Sequence, residues 1–327
     1  MNRSAVPPPV TLVLDAAGAW LPARMEAVEE RLRQLLEGHG EALAADAGST
    51  LQAGGKRLRP MLVLLSAGPG AGEGAIRAAT AIELVHMASL VHDDVLDAAP
   101  LRRGRPTVVA RSGRSRALAV GDLLFSRAFA ELAADGGTDQ VERLSGAAVA
   151  LALGELAQRR DAFDLTISAG RYLRRCELKT ARLFECACLI AQPHEAREKI
   201  GALETFGREI GLAFQLLDDV LDVTGPPERT GKARGTDLLD GTVTLPLILA
   251  RERDASLAEL DLRSLDPALA EGACDRIAAT GVLEEVRAGA RRRVELAKRA
   301  LELRPALEPE RRRLLELVAD GIVERYS

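Results

Sequence analysis

Two apolar helical runs in this chain each end in three aspartates, and few folds have a use for that. The first, Glu83–Arg105, reads ELVHMASLVHDDVLDAAPLRRGR and sets Asp93, Asp94 and Asp97 just ahead of Pro100. The second, Phe214–Pro227, reads FQLLDDVLDVTGPP and repeats the spacing at Asp218, Asp219 and Asp222, ahead of Gly225, Pro226 and Pro227. Residues four apart share a helix face, about 6 Å apart along the axis. The breakers place both trios in or near the last turn, where the helix dipole already carries partial negative charge. One acidic helix end reads as solvated surface. Two of them, both on apolar helices and both at the disfavoured end, read as a site that receives cations. Oxygen-only ligands favour Mg²⁺, which keeps some of its waters and bridges to substrate phosphates.

Basic groups accompany the acids. Gly54-Gly55-Lys56-Arg57-Leu58-Arg59-Pro60 precedes the first acidic run. Paired glycines let backbone N–H groups approach an anion, Lys56 and Arg59 add charge, and Pro60 starts a helix at fixed φ. Arg102 and Arg103 follow the first trio; they can grip phosphate and neutralise the neighbouring acids, and the two roles can hold together. Lys179-Thr180 lies inside a helical pattern and Lys232 follows the second trio. Six carboxylates with about as many cations, placed at helix ends and loops, suit two polyphosphate ligands, one bridged by metal and one held directly.

The surroundings of these groups are helical. Apolar residues recur at three and four from Trp20 onward, predicting helices over 21–38, 41–52, 59–67, 73–98, 115–134, 138–160, 168–191, 194–223, 237–253, 267–279, 281–304 and 309–325. Residues 1–17 read as loosely ordered, with Val10–Leu14 a possible strand that lacks a partner. Gly68-Pro69-Gly70, Gly136-Gly137, Pro193 and Gly225-Pro226-Pro227 mark joints. With no low-complexity linker in 327 residues, a single all-α domain over 1–327 is expected, a large helical bundle around a deep central cavity. The net charge of −4 and the interleaving of Arg291–Arg293 and Arg311–Arg313 with Glu argue against a nucleic-acid partner. No uncharged apolar run reaches 18 residues, so no transmembrane segment is expected. Four cysteines without a CxxC pair suggest reduced thiols and a cytoplasmic location.

GGKRLRP, HDDVLD followed by LRRG, KTARLF, FQLLDDVLD and GKARGTDLLDGTVTLP occur in this order between about Leu51 and Pro246. Together they closely resemble the trans-isoprenyl (polyprenyl) diphosphate synthases. The resemblance implies the all-α isoprenoid synthase fold, a homodimer, and a Mg-dependent prenyltransferase that adds isopentenyl diphosphate to an allylic diphosphate (dimethylallyl, geranyl, farnesyl or geranylgeranyl). It implies Asp93, Asp97 and Asp218 as ligands of Mg²⁺, usually three ions, with Asp94, Asp219 and Asp222 beside them. Lys56, Arg59, His86 and Arg103 would bind isopentenyl diphosphate. Arg102, Lys179, Thr180, Gln215 and Lys232 would bind the allylic diphosphate or its leaving group, Lys179 and Lys232 acting in catalysis. From spacing alone His86 reads as a core histidine; the resemblance gives it a substrate. Gln215, one turn before Asp218 and Asp219, is placed to orient their carboxylates or a metal-bound water. One position departs from the family pattern GKxTLP: Thr242 stands where the lysine is usual.

Two alternatives share these features. A terpene cyclase also uses an Asp-rich helix, but it has no need of a second diphosphate group such as Lys56 and Arg59, and it lines its cavity with aromatics, of which this chain has nine. A non-catalytic subunit of a heteromeric synthase would be expected to lose Asp residues, and all six are present. Short-chain members of the family place bulky aromatics four or five residues before the first Asp; here those positions are Ser89 and Ala88. Ile82, eleven residues before Asp93, is roughly 16 Å from it along the axis, deep enough to floor a long tunnel. Products of about twenty carbons or more are therefore expected.

Overall fold

The computed structural model describes residues 8–37, 41–52, 55, 57–102, 104–134, 137–193, 197–225, 234–303 and 307–324. Gly54, Gly136, Pro226 and Pro227, named above as loop residues, lie outside the described residues. In chain order the elements are α1 (Pro8–Ala17), α2 (Trp20–Glu37), α3 (Glu41–Gln52), α4 (Leu58–Ala67), α5 (Glu73–Leu96), the hairpin strands β1 (Leu101–Arg102) and β2 (Arg105–Pro106), and α6 (Val108–Ser112). Then come α7 (Arg114–Ala133), α8 (Thr138–Asp161), α9 (Ala169–Cys176), a π-helical turn over Glu177–Ala181, α10 (Arg182–Leu189) and α11 (Arg197–Thr224). Short helical turns over Thr236–Leu239, Leu245–Ala250, Ala255–Ala258 and Leu262–Ser264 lead to α12 (Pro267–Ala279), α13 (Val282–Glu302) and α14 (Pro309–Glu324).

Helix α5 is central. Ala78, Ala81, Ile82, Leu84, Val85, Ala88 and Val91 are buried around its whole circumference, and α2, α4 and α7 pack on it. A helix apolar on every side is a core helix or a membrane span. Among the described residues α5 is the helix long and apolar enough to cross a membrane by composition, and 67% of its most apolar stretch is buried inside the fold. The longest described helix, α11, packs against α10 and α13. The Asp-bearing ends of α5 and α11 flank the π turn, which contacts α8 and α11.

Several expectations need correction. Over its described part the N-terminal stretch is neither loose nor a strand: residues 8–17 form α1, and residues 1–7 lie outside the described residues. Val10, Val13 and Ala17 recur at three and four and are buried where α1 meets α14. A five-residue apolar run cannot distinguish strand from helix by itself, and the tertiary partner decides. The helix expected over 237–253 is two short turns, broken at Gly241–Thr244 and restarted with Pro246 in its first turn. The helix expected over 168–191 is interrupted by the π turn, and α5 stops at Leu96. The hairpin after it, pairing Leu101 with Pro106 and Arg102 with Arg105, has no helical period to reveal it.

Candidate active site

The α-helical period separates the three acids at the end of α5. Asp93 and Asp97 share a face and stay partly exposed, while Asp94 turns inward and is buried. Hairpin β1–β2 brings Arg102 back onto it, Nε donating to Asp94 Oδ1 at 2.7 Å. Arg102 thus has the neutralising role that its position next to the trio suggested. Helix α8 supplies partners for the other two. Arg159 donates through Nη2 to Asp97 Oδ1 at 2.6 Å and through Nε to Glu155 at 2.7 Å. Lys179, on the π turn, donates to Glu155 and, at 3.3 Å, to Gln158 Oε1; its Nζ lies 3.6 Å from Asp93 Oδ2. Burial raises the Asp93 carboxyl above its ordinary range, with Lys179 the main opposing influence. Burial would lower the Lys179 ammonium, but Asp93 and Glu155 raise it above the usual lysine value.

The π turn owes its position to two glycines. A Cβ on Gly154 of α8 would stand 2.5 Å from the Lys179 backbone nitrogen, and one on Gly211 of α11 would stand 2.7 Å from the Ala181 Cα. Such close approach needs glycine on both sides. The widened turn then presents Lys179 toward α8 and Thr180 toward α11, where Thr180 Oγ1 donates to Gln215 Oε1 at 2.8 Å. Helix bulges of this kind occur often at functional sites.

At the end of α11, Asp218 is exposed, Asp222 partly so, and Asp219 fully buried. Gln215 Nε2 donates to Asp219 Oδ1 at 2.8 Å and the Tyr172 hydroxyl of α9 donates to Oδ2. Burial, together with the nearby Asp237, raises the Asp219 carboxyl well above its ordinary range. Asp222 Oδ2 accepts from the backbone N–H of Asp237 at 3.2 Å. Thr242, partly buried, sits in a segment held by Arg175 Nη2 to Val243 O at 2.7 Å and Phe163 N to Gly241 O at 2.8 Å.

The basic loop before α4 is anchored by an arginine with no role in the sequence reading. Arg57 caps α4 at φ 47° and is only 6% exposed. Its Nε donates to Glu29 at 2.5 Å, Nη1 to Glu83 at 2.8 Å, and Nη2 to Leu51 O at 3.0 Å. Burial opposes the charge, but Glu83 and Glu29 raise the guanidinium above its usual pKa. Arg59 lies 4.5 Å above the Phe184 ring; burial lowers it to about 10 against the pull of Glu83 and Asp218. Arg57→Ala is expected to reduce stability by about 3 kcal/mol, because it strands buried Glu83 without its partner. Chemical denaturation measures this, and a change below about 1 kcal/mol would mean that Glu83 finds another cation.

His86 is partly exposed on α5, its carbonyl accepting from Ser89 Oγ at 2.8 Å; Ala88 and Ile82 are fully buried. Lys56, Arg103 and Lys232 lie outside the described residues. Glu155, Gln158, Arg159, Tyr172 and Arg57 escaped the sequence reading. The first three had a signal, the single acid of the apolar run Ala150–Ala157 and the polar residues just after it. Tyr172 and Arg57 had none that the helical period could supply.

The donor set suits one kind of metal. Among the described residues no three His, Cys, Asp or Glu side chains converge as a ready-made site. Asp93, Asp97 and Asp218 stay accessible to solvent, whereas Asp94 and Asp219 are engaged by Arg102, Tyr172 and Gln215. Accessible carboxylates in ones and twos fit a hard divalent cation that completes its shell with water and phosphate.

The chain is similar to known proteins along most of its length. The polyprenyl synthetase family model matches residues 41–266. Component 2 of the heptaprenyl diphosphate synthase of Geobacillus stearothermophilus is 42% identical over 241 residues, 72% of this chain and 75% of that protein. The octaprenyl diphosphate synthase of Haemophilus influenzae is 39% identical over 236 residues, 70% of this chain and 71% of that one. Among solved structures, the polyprenyl synthase of Caulobacter crescentus, complexed with calcium and isoprenyl diphosphate, superposes with a TM-score of 0.88 at 34% identity, covering 96% of this chain and 98% of that one.

Proposed function

The chain belongs to the polyprenyl synthetase family, and from that premise we propose that it joins isopentenyl diphosphate head-to-tail to an allylic diphosphate, making a long trans-polyprenyl diphosphate. The observation that carries the reading is the π turn: Lys179 reaches the Asp93 set on one side while Thr180, through Gln215, reaches Asp219 on the other. Asp93, Asp97 and Asp218 would hold Mg²⁺, which when bound supplies positive charge to the departing diphosphate. Lys179 and Lys232 add cations to the same diphosphate oxygens as the allylic C–O bond breaks and its electron pair leaves with oxygen. Lys56, Arg59, His86 and Arg103 hold isopentenyl diphosphate so that its double bond attacks the allylic carbon. A proton is then lost to the released diphosphate. Water is kept out of the apolar side of the site, since it would quench the allylic cation.

The test is incorporation of labelled isopentenyl diphosphate by the isolated chain with each allylic primer in turn, the products being sized by mass spectrometry. No incorporation with any primer would overturn the reading. A second reading has one observation in its favour: the Geobacillus relative is one component of a synthase. Incorporation only after addition of a second, different chain would select it. For the homodimer, support comes from Val149, Leu153 and Leu156, which form a stripe on α8 that is half or more exposed; α7, which packs on α8, also exposes Leu118. An apolar stripe of this size on two packed helices suits coverage by a second copy.

Product length is set by how far the tail can run along α5. At 100° per residue, Ser89 and Ile82 lie within about 40° of the Asp93 direction, and Ala88 about 140° from it. Ser89→Phe is therefore expected to shorten the products to about fifteen carbons, whereas Ala88→Phe overpacks a fully buried position and lowers stability by about 1–3 kcal/mol. If neither variant shortens the products, the floor of the tunnel lies on another helix.

A further inference from the structure

Asp219 sits at the centre of a hydrogen-bonded chain that begins outside the two carboxylate sets. It is 2% exposed, and each of its oxygens is engaged: Oδ2 by the hydroxyl of Tyr172, which is 1% exposed, and Oδ1 by Gln215 Nε2. The Gln215 amide, held by that bond, turns its oxygen to the Thr180 hydroxyl. Tyr172 is itself braced. It lies one turn before Cys176 on α9, and the guanidinium of Arg175 stands 5.5 Å from its ring. That guanidinium also bonds Val243 O and lies 3.7 Å from Asp161 at the end of α8. Tyr172, Asp219, Gln215 and Thr180 therefore form one line from the α9 brace to the π turn.

We propose that Tyr172 is a positioning residue for the prenyl-transfer step, acting through Asp219 to fix the rotamer of Gln215 and so the direction of the Thr180 hydroxyl, which donates to it. This rests on the reading above and extends it. In that scheme Asp219 orients side chains, while Asp93, Asp97 and Asp218 face the metal and diphosphate. Removing the Tyr172 hydroxyl leaves a buried carboxylate oxygen without its donor and frees Asp219 to rotate. The line ends at Gln215 and Thr180, assigned above to the allylic diphosphate or its leaving group, so the effect falls on departure of that diphosphate and not on isopentenyl diphosphate, which other residues hold.

Tyr172→Phe keeps the ring and removes only the hydroxyl. The expected result is a kcat lowered about 10–100-fold, with KM for isopentenyl diphosphate within about twofold of wild type. The double variant Tyr172→Phe/Asp219→Asn should be no slower than Asp219→Asn alone, because both act on one line. In a crystal structure of Tyr172→Phe, Gln215 should have left Asp219 or Thr180. Wild-type kcat in Tyr172→Phe, multiplying losses in the double variant, or unchanged Asp219 and Gln215 rotamers would each overturn the proposal. The rotamers can be read whether or not the chain turns over, and the absence of turnover by wild type counts against the proposed reaction alone.

Discussion

Asp93→Ala and Asp218→Ala are each expected to lower kcat by about three orders of magnitude or more, with no recovery at high Mg²⁺. Each removes an accessible carboxylate from the end of a helix that offers few others. Asp94→Ala is expected to behave differently. Asp94 is buried against Arg102, and its loss frees that arginine without opening the face that Asp93 and Asp97 share. Steady-state kinetics with both substrates saturating, and Mg²⁺ varied, measure all three. Asp93→Ala or Asp218→Ala within tenfold of wild type would sink the two-sided metal site. An Asp94→Ala loss as large as that of Asp93→Ala would show that the trio works as an undivided unit. A chelator should abolish wild-type turnover, and Mg²⁺ should restore it.

The difference between Asp93 and Asp94 marks what the sequence can and cannot convey. The repeated spacing of acids on apolar helices, just ahead of Pro and Gly, makes the ends of α5 and α11 legible. The three- and four-residue recurrence makes nearly every long helix legible. Which acid turns inward depends on what arrives from elsewhere in the chain. Arg102 returns through a hairpin whose strands are two residues long, too short for any period. The π turn carries no local signature either, because the glycines that let it approach, Gly154 and Gly211, are more than 20 residues away on α8 and α11. Tyr172 looks like an ordinary core aromatic from α9, and only the approach of α11 puts a carboxylate at its hydroxyl. Arg57 lies among Lys56 and Arg59 and reads like them. Its left-handed backbone and its two carboxylate partners, buried Glu83 and half-buried Glu29, make it the anchor of that loop.

Lys179→Ala is expected to move two measurements in opposite directions. Turnover should fall about 10²–10³-fold, the usual effect of removing one cation or donor aimed at charge that develops on a leaving group. Divalent-ion affinity of the substrate-free chain should rise, by about tenfold or more, when read by calorimetry at about pH 8. The reason is geometric. With no metal, the Lys179 ammonium stands 3.6 Å from Asp93 and bonds Glu155, so it occupies the same negative potential that attracts a cation. A divalent ion entering alone must displace that charge. One entering with diphosphate gives Lys179 a new partner, so metal and allylic substrate should bind together in the wild type and less strictly so in the variant. The gain should shrink as pH falls. Lys179 is the chief influence holding Asp93 down against burial, so in its absence Asp93 takes up a proton at higher pH, and that proton competes with the metal. Unchanged metal affinity in Lys179→Ala would mean that the ammonium yields to a metal at no cost, and coupling between metal and substrate would then have to come from the carboxylates alone.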